Sequence, residues 1–314
     1  MIPFAEALKS RKILIFDGAT GTQLAARCGN TGPLTNLDYP DVVKAVHADY
    51  KAAGADIVLT NTLTANRISL EHAGLADKLA AINTIGARLC REAVGDDCYV
   101  AGDMCSTGKF LEPLGEYTEE QFAANAAEQA KLLADNGVDL ILIETMTDVR
   151  ETAIAVRAVK QATGLCVIAS ISFDPVADSF RTMMGDTPER AVRELEAAGA
   201  DVIGANCGTI DPFEMSRLIE EMRSCTPPFP PLPRGGEGGV ALSKGKKEEV
   251  ALIAMPNAGK PELIGGEVHF RLSPEEFADG MMKCIAAGAT LVGGCCGTTP
   301  AHIAALRQGI GSRK

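Results

Sequence analysis

Cys207, in Gly204-Ala205-Asn206-Cys207-Gly208, and the adjacent pair Cys295-Cys296, in Gly293-Gly294-Cys295-Cys296-Gly297-Thr298, are the residues of this chain best suited to chemistry. Three thiolates fill three of the four positions of a tetrahedral Zn²⁺ and leave one open, the pattern of catalytic rather than structural zinc sites. Another sulfur is the natural occupant of that opening. Catalytic and metal-ligand roles therefore fall together on Cys207, Cys295 and Cys296. In a regular strand the neighbours Cys295 and Cys296 would face opposite sides. The glycines around them let the chain bend until both sulfurs face one ion. The plainer alternatives are a strained vicinal disulfide or two idle thiols. The other seven of the ten cysteines are scattered singly and read as small buried thiols.

The elements that must position these cysteines are legible from a recurring phrase. Ala52-Ala53-Gly54-Ala55-Asp56, Asn136-Gly137-Val138-Asp139, Ala197-Ala198-Gly199-Ala200-Asp201 and Ala286-Ala287-Gly288-Ala289-Thr290 each read as a helix end, a left-handed glycine and the start of a buried strand. Apolar runs bounded by turn residues place strands at 13–17, 57–61, 99–103, 140–145, 167–173, 202–207, 250–256 and 290–294. Helical patterns lie between them at 118–136, 149–163, 188–198, 212–224 and 274–287, with Thr118, Thr187 and Ser273 as capping residues. Eight alternating units predict an α/β chain folded as one (β/α)₈ TIM barrel over residues 1–314. A doubly wound sheet is the runner-up, but it would more often show a glycine fingerprint after its first strand. Residues 225–249 hold five prolines and a basic run, a composition that cannot pack a core. They are expected to form a flexible insertion between helix 6 and strand 7, at the barrel end opposite the active site.

Strand ends converge on one barrel mouth. There the sequence supplies Asp17, Asn61-Thr62, Asp103, Glu144, Cys207, Asn257 and Cys295-Cys296. Polar residues closing apolar runs at so many ends describe a site, although Asp103 taken alone reads equally well as a loop or capping residue.

Together with Asp17-Gly18-Ala19-Thr20-Gly21-Thr22, Thr60-Asn61-Thr62, Pro113-Leu114-Gly115, Glu144-Thr145 and Pro256-Asn257-Ala258-Gly259-Lys260-Pro261, the two cysteine motifs resemble the homocysteine S-methyltransferase family. Within it, the closest likeness is to the homocysteine-binding modules of cobalamin-dependent methionine synthases. The resemblance runs from about residue 3 to 308, apart from the Pro/Gly-rich stretch. It implies that Cys207, Cys295 and Cys296 ligate zinc, that L-homocysteine sulfur or a protein oxygen takes the fourth position, and that Asn257 is the residue to watch for that exchange. It implies also that Asp17 and Glu144 hold the substrate ammonium, while amides in Gly18–Gly21 and at Thr62 suit its carboxylate. Two departures mark the site. Asn61-Thr62-Leu63-Thr64 stands where Asn-Thr-Phe-Gly is common, and Met104-Cys105-Ser106-Thr107-Gly108 replaces a Gly-Pro-Thr-Gly type of loop.

The chain is acidic, with a net charge of −11, which argues against nucleic acid or an anionic membrane as partner. Met1–Lys12 carries no apolar signal-peptide core and no run approaches membrane-spanning length, so a cytoplasmic location is expected. None of the four histidines lies in an Asp-x-His-x-x-Gly cobalamin signature, and the chain ends at Lys314 soon after the eighth strand. The likeness to the synthase module therefore implies a methyl donor carried by a separate corrinoid or folate protein, with a small donor such as S-methylmethionine, S-adenosylmethionine or betaine as the alternative. A non-catalytic zinc- or thiol-binding barrel is the reading from another functional class.

Overall fold

In a computed structural model, which describes residues 1–10, 12–225, 250–265 and 267–311, eight parallel strands form the expected barrel. These are β1 (Leu14–Ile15), β2 (Ile57–Leu59), β3 (Tyr99–Cys105), β4 (Leu140–Met146), β5 (Cys166–Ile171), β6 (Val202–Asn206), β7 (Ala251–Met255) and β8 (Ala289–Val292). Their order in the sheet is β1-β8-β7-β6-β5-β4-β3-β2. The ring closes where Phe16 bridges Ile57, with Asp17 N donating to Ile57 O at 3.1 Å and Asp56 N to Ile15 O at 2.7 Å. Helices Val149–Thr163, Pro188–Ala198, Pro212–Ser224 and Pro274–Ala287 have the bounds read from sequence, and Glu119–Asp135 lies one residue inside them at each end. Thr118, Thr187 and Ser273 accept hydrogen bonds from the first-turn amides of their helices, as their types predict. Apart from Cys225, the stretch 225–249 lies outside the described residues.

The recurring glycines, Gly54, Gly137, Gly199 and Gly288, all have positive φ. The aspartate that follows in three copies has a further use. Asp56, Asp139 and Asp201 each accept the amide of a neighbouring strand, from Ile15, Val100 and Val167. Each also pairs with a cation, Arg307, Arg91 or Lys160. The repeated phrase thus turns the chain and clamps the barrel base. In the fourth copy Thr290 replaces aspartate, and its buried hydroxyl has no partner.

Strand alternation decides which side chains enter the barrel. Tyr99, Ala101, Leu140, Leu142, Ile168, Val202, Ile253, Met255 and Leu291 pack in its interior, while Val100, Ile141, Ile143, Ile203, Leu252 and Val292 pack outward under the helices. A short helix, Phe4–Lys9, which the sequence reading did not place, closes the floor. Its Phe4 stands edge-on to Tyr99 with ring centroids 5.3 Å apart.

Gly204 lies in β6, paired with Ile253 of β7, and a Cβ there would sit 1.9 Å from the Ile253 carbonyl oxygen. That contact is with backbone, so only separation of the two strands would relieve it. Gly204→Ala is expected to cost roughly 3 kcal/mol, the upper end of overpacking penalties. It should also pull the end of β6 away from β7. Denaturant unfolding of the variant beside wild type checks the prediction.

Candidate metal and substrate site

Following the inward rows upward explains why the site lies where it does. In six strands two apolar or small inward residues are succeeded by a polar one: Asp103 in β3, Glu144 in β4, Ser170 in β5, Asn206 in β6, Asn257 after β7 and Cys295 after β8. The barrel core therefore turns polar at a single level, at the C-terminal ends of the strands, where sites of this fold lie. Asp17 joins them from β1.

The three cysteines meet. Their sulfurs all lie within 4.8 Å of one another, and those of Cys207 and Cys296 are 3.9 Å apart. Zinc–sulfur bonds of about 2.3 Å in a tetrahedron separate the sulfurs by about 3.8 Å, so the spacing suits a shared ion. All three thiols are free and half-buried. Hydrogen bonds from Cys207 and Cys295 pull the Cys296 thiol down to about 3. Cys207 is pushed up to about 11, because its bond to Cys296 and its burial outweigh the lowering effect of Cys295. Cys295 is held well above the usual range by its bonds to the other two and by burial. Packed against one another, the thiols share protons among them, and a divalent cation is what would release these. The donor set and its spacing fit zinc.

Backbone conformation brings the sulfurs round. Cys207 has φ 57°, a left-handed conformation rare outside glycine that costs about 1–2 kcal/mol. Its amide continues the β6–β7 ladder to Met255 O. Asn257 ties down the next residue, donating from Nδ2 to Gly208 O at 2.8 Å, and its own Oδ1 is buried without a partner. On the far side, Cys295 N donates to Pro256 O and Ala258 N to Cys296 O. Thr298 fixes the turn, donating from Oγ1 to Cys295 O and accepting from Ala19 N. Gly294 is required here, because a Cβ would lie 2.5–2.7 Å from the Thr298 side chain.

Asn206 carries much of the arrangement. Its Oδ1 accepts from Thr145 N at 2.9 Å and Ser170 Oγ at 2.7 Å. Its Nδ2 donates to Thr145 Oγ1 at 2.8 Å and Glu144 Oε2 at 3.1 Å, and approaches Cys295 Sγ at 3.8 Å. Thr145, like Cys207, is a non-glycine residue in the left-handed region.

Beside the cysteines lie three buried carboxylates, Asp17, Asp103 and Glu144. Burial, with the charge of Cys207, pushes Glu144 up to about 8. Burial also holds Asp17 well above the carboxylate range, against a bond from Leu59 N to its Oδ2 and with the help of Glu144. Asp103 is raised by burial and then by Glu144 and Asp17. One oxygen of Asp17 and one of Asp103 have no partner.

Gly18 is buried in the loop before the helix Thr20–Cys28, whose first-turn amides have no partner within the helix. Thr62 is buried, but its amide bonds Thr60 O and its hydroxyl donates to Asp103 O. Within Gly18–Gly21 the Ala19 amide is taken by Thr298, so those of Gly18, Thr20 and Gly21 are the ones left to face a carboxylate. Cys105 lines a small cavity behind the barrel with Gln129 and Glu151, away from the cysteine cluster. Sequence reasoning assigned no task to Asn206, Ser170 or Thr298. The period-two inward rows could have signalled the first two.

This fold and this constellation describe a TIM-barrel protein with a three-cysteine centre at its mouth. Residues 14–310 match the family model described as homocysteine S-methyltransferase, and the chain belongs to that family. It is similar to methionine synthase of Mycobacterium tuberculosis (strain ATCC 25618 / H37Rv), 30% identical over 97% of this chain and 25% of that protein. It is similar also to methionine synthase of Mycobacterium leprae (strain TN), 31% identical over 94% of this chain and 24% of the relative. The chain thus spans about a quarter of the length of these relatives. Among solved structures, the metallated form of the homocysteine methyltransferase MmuM from Escherichia coli shares the fold. The TM-score is 0.73 at 24% identity, with 98% of this chain and 99% of the other covered.

Because the folded protein raises Glu144 from 4.5 to about 8, the stability linked to that proton is complete below about pH 4.5 and is lost as pH rises through about 8. Glu144→Gln keeps an acceptor for Asn206 and removes the titration. In metal-free protein the variant is expected to gain thermal stability over wild type progressively from pH 5 to 9. Melting curves across that range check this, and a difference independent of pH would refute it.

Proposed function

We propose that this protein transfers a methyl group to the sulfur of L-homocysteine, forming methionine, with Zn²⁺ held by Cys207, Cys295 and Cys296. The observation that carries the reading is the juxtaposition of a three-sulfur cluster with buried, incompletely paired carboxylates at one mouth. Such a site accepts a soft ligand at one end and an ammonium at the other, the two ends of an amino-acid thiol. Bound zinc supplies positive charge that lowers the pKa of a further thiol ligand and favours its thiolate near neutral pH.

The chain's own residues do the rest. Asp17 and Glu144 bind the ammonium, and the amides of Gly18, Thr20 and Gly21 bind the carboxylate. The Asn257 Oδ1, buried and unpaired, is the oxygen suited to fill the fourth ligand position without substrate. With the amino acid held at both ends, its sulfur is directed toward the cysteines and its far side toward the mouth. The thiol proton leaves, the sulfur forms the new bond to the methyl carbon, and the donor departs with the electrons of the broken bond.

A donor carried by a separate corrinoid protein is the favoured partner, in a cytoplasmic setting that keeps the thiols reduced. Exposed apolar side chains ring the mouth on three loops: Phe110 and Leu114 after β3, Val176 and Met183 after β5, and Leu263 and Val268 after β7. Such side chains on one rim suit protein docking better than a small soluble donor. A second reading, a stand-alone enzyme using a sulfonium or betaine donor, draws support from MmuM, a separate chain of nearly the same extent.

Cys207→Ala is expected to abolish zinc retention after dialysis while the barrel still folds. Metal analysis with circular dichroism checks this, and undiminished zinc would refute the ligand assignment. Methyl transfer to homocysteine is expected from methylcobalamin or a methylated corrinoid protein. Turnover with S-methylmethionine, S-adenosylmethionine or betaine alone would replace the corrinoid reading with the stand-alone one. Zinc coordination followed by X-ray absorption should gain a sulfur ligand on homocysteine addition, and an unchanged spectrum would sink the enzyme reading.

A further inference from the structure

Asp103 is an inward residue near the end of β3, in register with Leu142 and so one inward step below Glu144 on the neighbouring strand, and only 6% of its surface is exposed. Its backbone is bolted on both sides. The amide donates to Thr60 Oγ1 at 3.0 Å, and the carbonyl accepts from Thr62 Oγ1 at 2.8 Å, the two hydroxyls being 2.6 Å apart. The carboxylate itself is not engaged in the same way. Its Oδ1 is buried without a partner, and among the described residues no ion pair includes it. A capping or loop role would use the side chain locally, and this side chain caps nothing.

A buried carboxylate without donors is costly, and more so beside two others. Asp17 spends one oxygen on Leu59 N and Glu144 one on Asn206, whereas Asp103 keeps its own for the mouth. An alkylammonium has three N–H donors and no acceptor. Three carboxylates converging on the same space match that donor count.

We propose that Asp103 is a third acceptor for the substrate's α-ammonium and sets the preference of this site for amino-acid thiols over thiol acids that lack the amine. The assignment rests on the homocysteine reading and adds to it the residue that enforces the substrate class. A thiol acid without an ammonium would bring a further negative charge toward three carboxylates and leave the Asp103 oxygen unpaired. Rejection by unpaired buried groups discriminates more strongly than shape alone.

The test compares homocysteine with its desamino analogue, 4-mercaptobutyrate, by titration calorimetry on zinc-loaded protein, for wild type and Asp103→Asn. Wild type should prefer homocysteine. The variant should bind homocysteine about 10- to 100-fold more weakly, as expected for loss of one hydrogen bond to a charged group. It should bind 4-mercaptobutyrate no worse than wild type, with zinc content unchanged. A variant that weakens both thiols equally, or neither, overturns the assignment while leaving the homocysteine reading intact. A wild type that binds neither thiol overturns both. Asp103→Ser, which leaves space rather than an amide, gives the same comparison should the asparagine variant fail to fold.

Discussion

The hydrogen-bonding of one buried amide, that of Asn206, is the interaction on which the geometry of the mouth depends. From the end of β6 it reaches Glu144 and Thr145 on β4, Ser170 on β5 and the sulfur of Cys295 beyond β8. Asparagine suits this position because it offers donors and acceptors on one short planar group. Aspartate would set a fourth carboxylate against Glu144, and a hydrophobic residue would leave the Thr145 amide and Ser170 hydroxyl without partners, at about 1–3 kcal/mol for each buried group. Two left-handed residues, Thr145 and Cys207, flank this hub in space. Their strain is held by the same network, which fixes the turn of β6 toward the cysteines.

Around that hub the protein keeps an electrostatic arrangement that the fold alone does not favour. Asp17, Asp103 and Glu144 are all pushed upward by burial, and the sulfur cluster beside them holds protons that it must release to bind metal. Opposed to this cost are the continuous aliphatic layers inside and outside the barrel, the floor closed by Phe4 and the aspartate clamps at the base. Stability is gathered at one end of the barrel and given up at the other. In the proposed function, cations would complete the second end: a metal among the sulfurs and an ammonium among the carboxylates.

Much of this was legible in the sequence because both repeats involved are short. The glycine phrase recurs at four of the helix-to-strand turns, and the barrel followed from the eight apolar runs that alternate with helices. The cysteine motifs stand at strand ends, so their meeting at one mouth followed from the barrel. The floor helix was harder to see, since six residues give too few turns for a periodic signal. The hairpins Asp174–Val176 with Ser179–Arg181 and Glu262–Ile264 with Glu267–His269 lie in loops and pair only with themselves. The role of Asn206 depends on contacts between strands that no local pattern contains. Asp103 was ambiguous for a different reason. A carboxylate at a strand end looks the same in sequence whether it caps a turn or faces a substrate, and only the missing partner separates the two.

The division between strand ends and loops also accounts for which half of the reaction is the better defined. Every residue assigned to the acceptor, from Asp17 to Cys296, sits on or within a few residues of a barrel strand, where the ladder limits movement. The apolar rim that would meet a donor sits instead on the long connections after β3, β5 and β7. Loops of this fold vary while its strands persist, and that is how one barrel serves different chemistries. A thiol acceptor needs angstrom-level placement of sulfur and ammonium, which strands provide. A donor delivered on a protein needs a surface, which loops provide. The exposed phenylalanine, leucine, valine and methionine side chains on those loops therefore bear on the donor more directly than anything inside the barrel, and they favour a partner large enough to cover them.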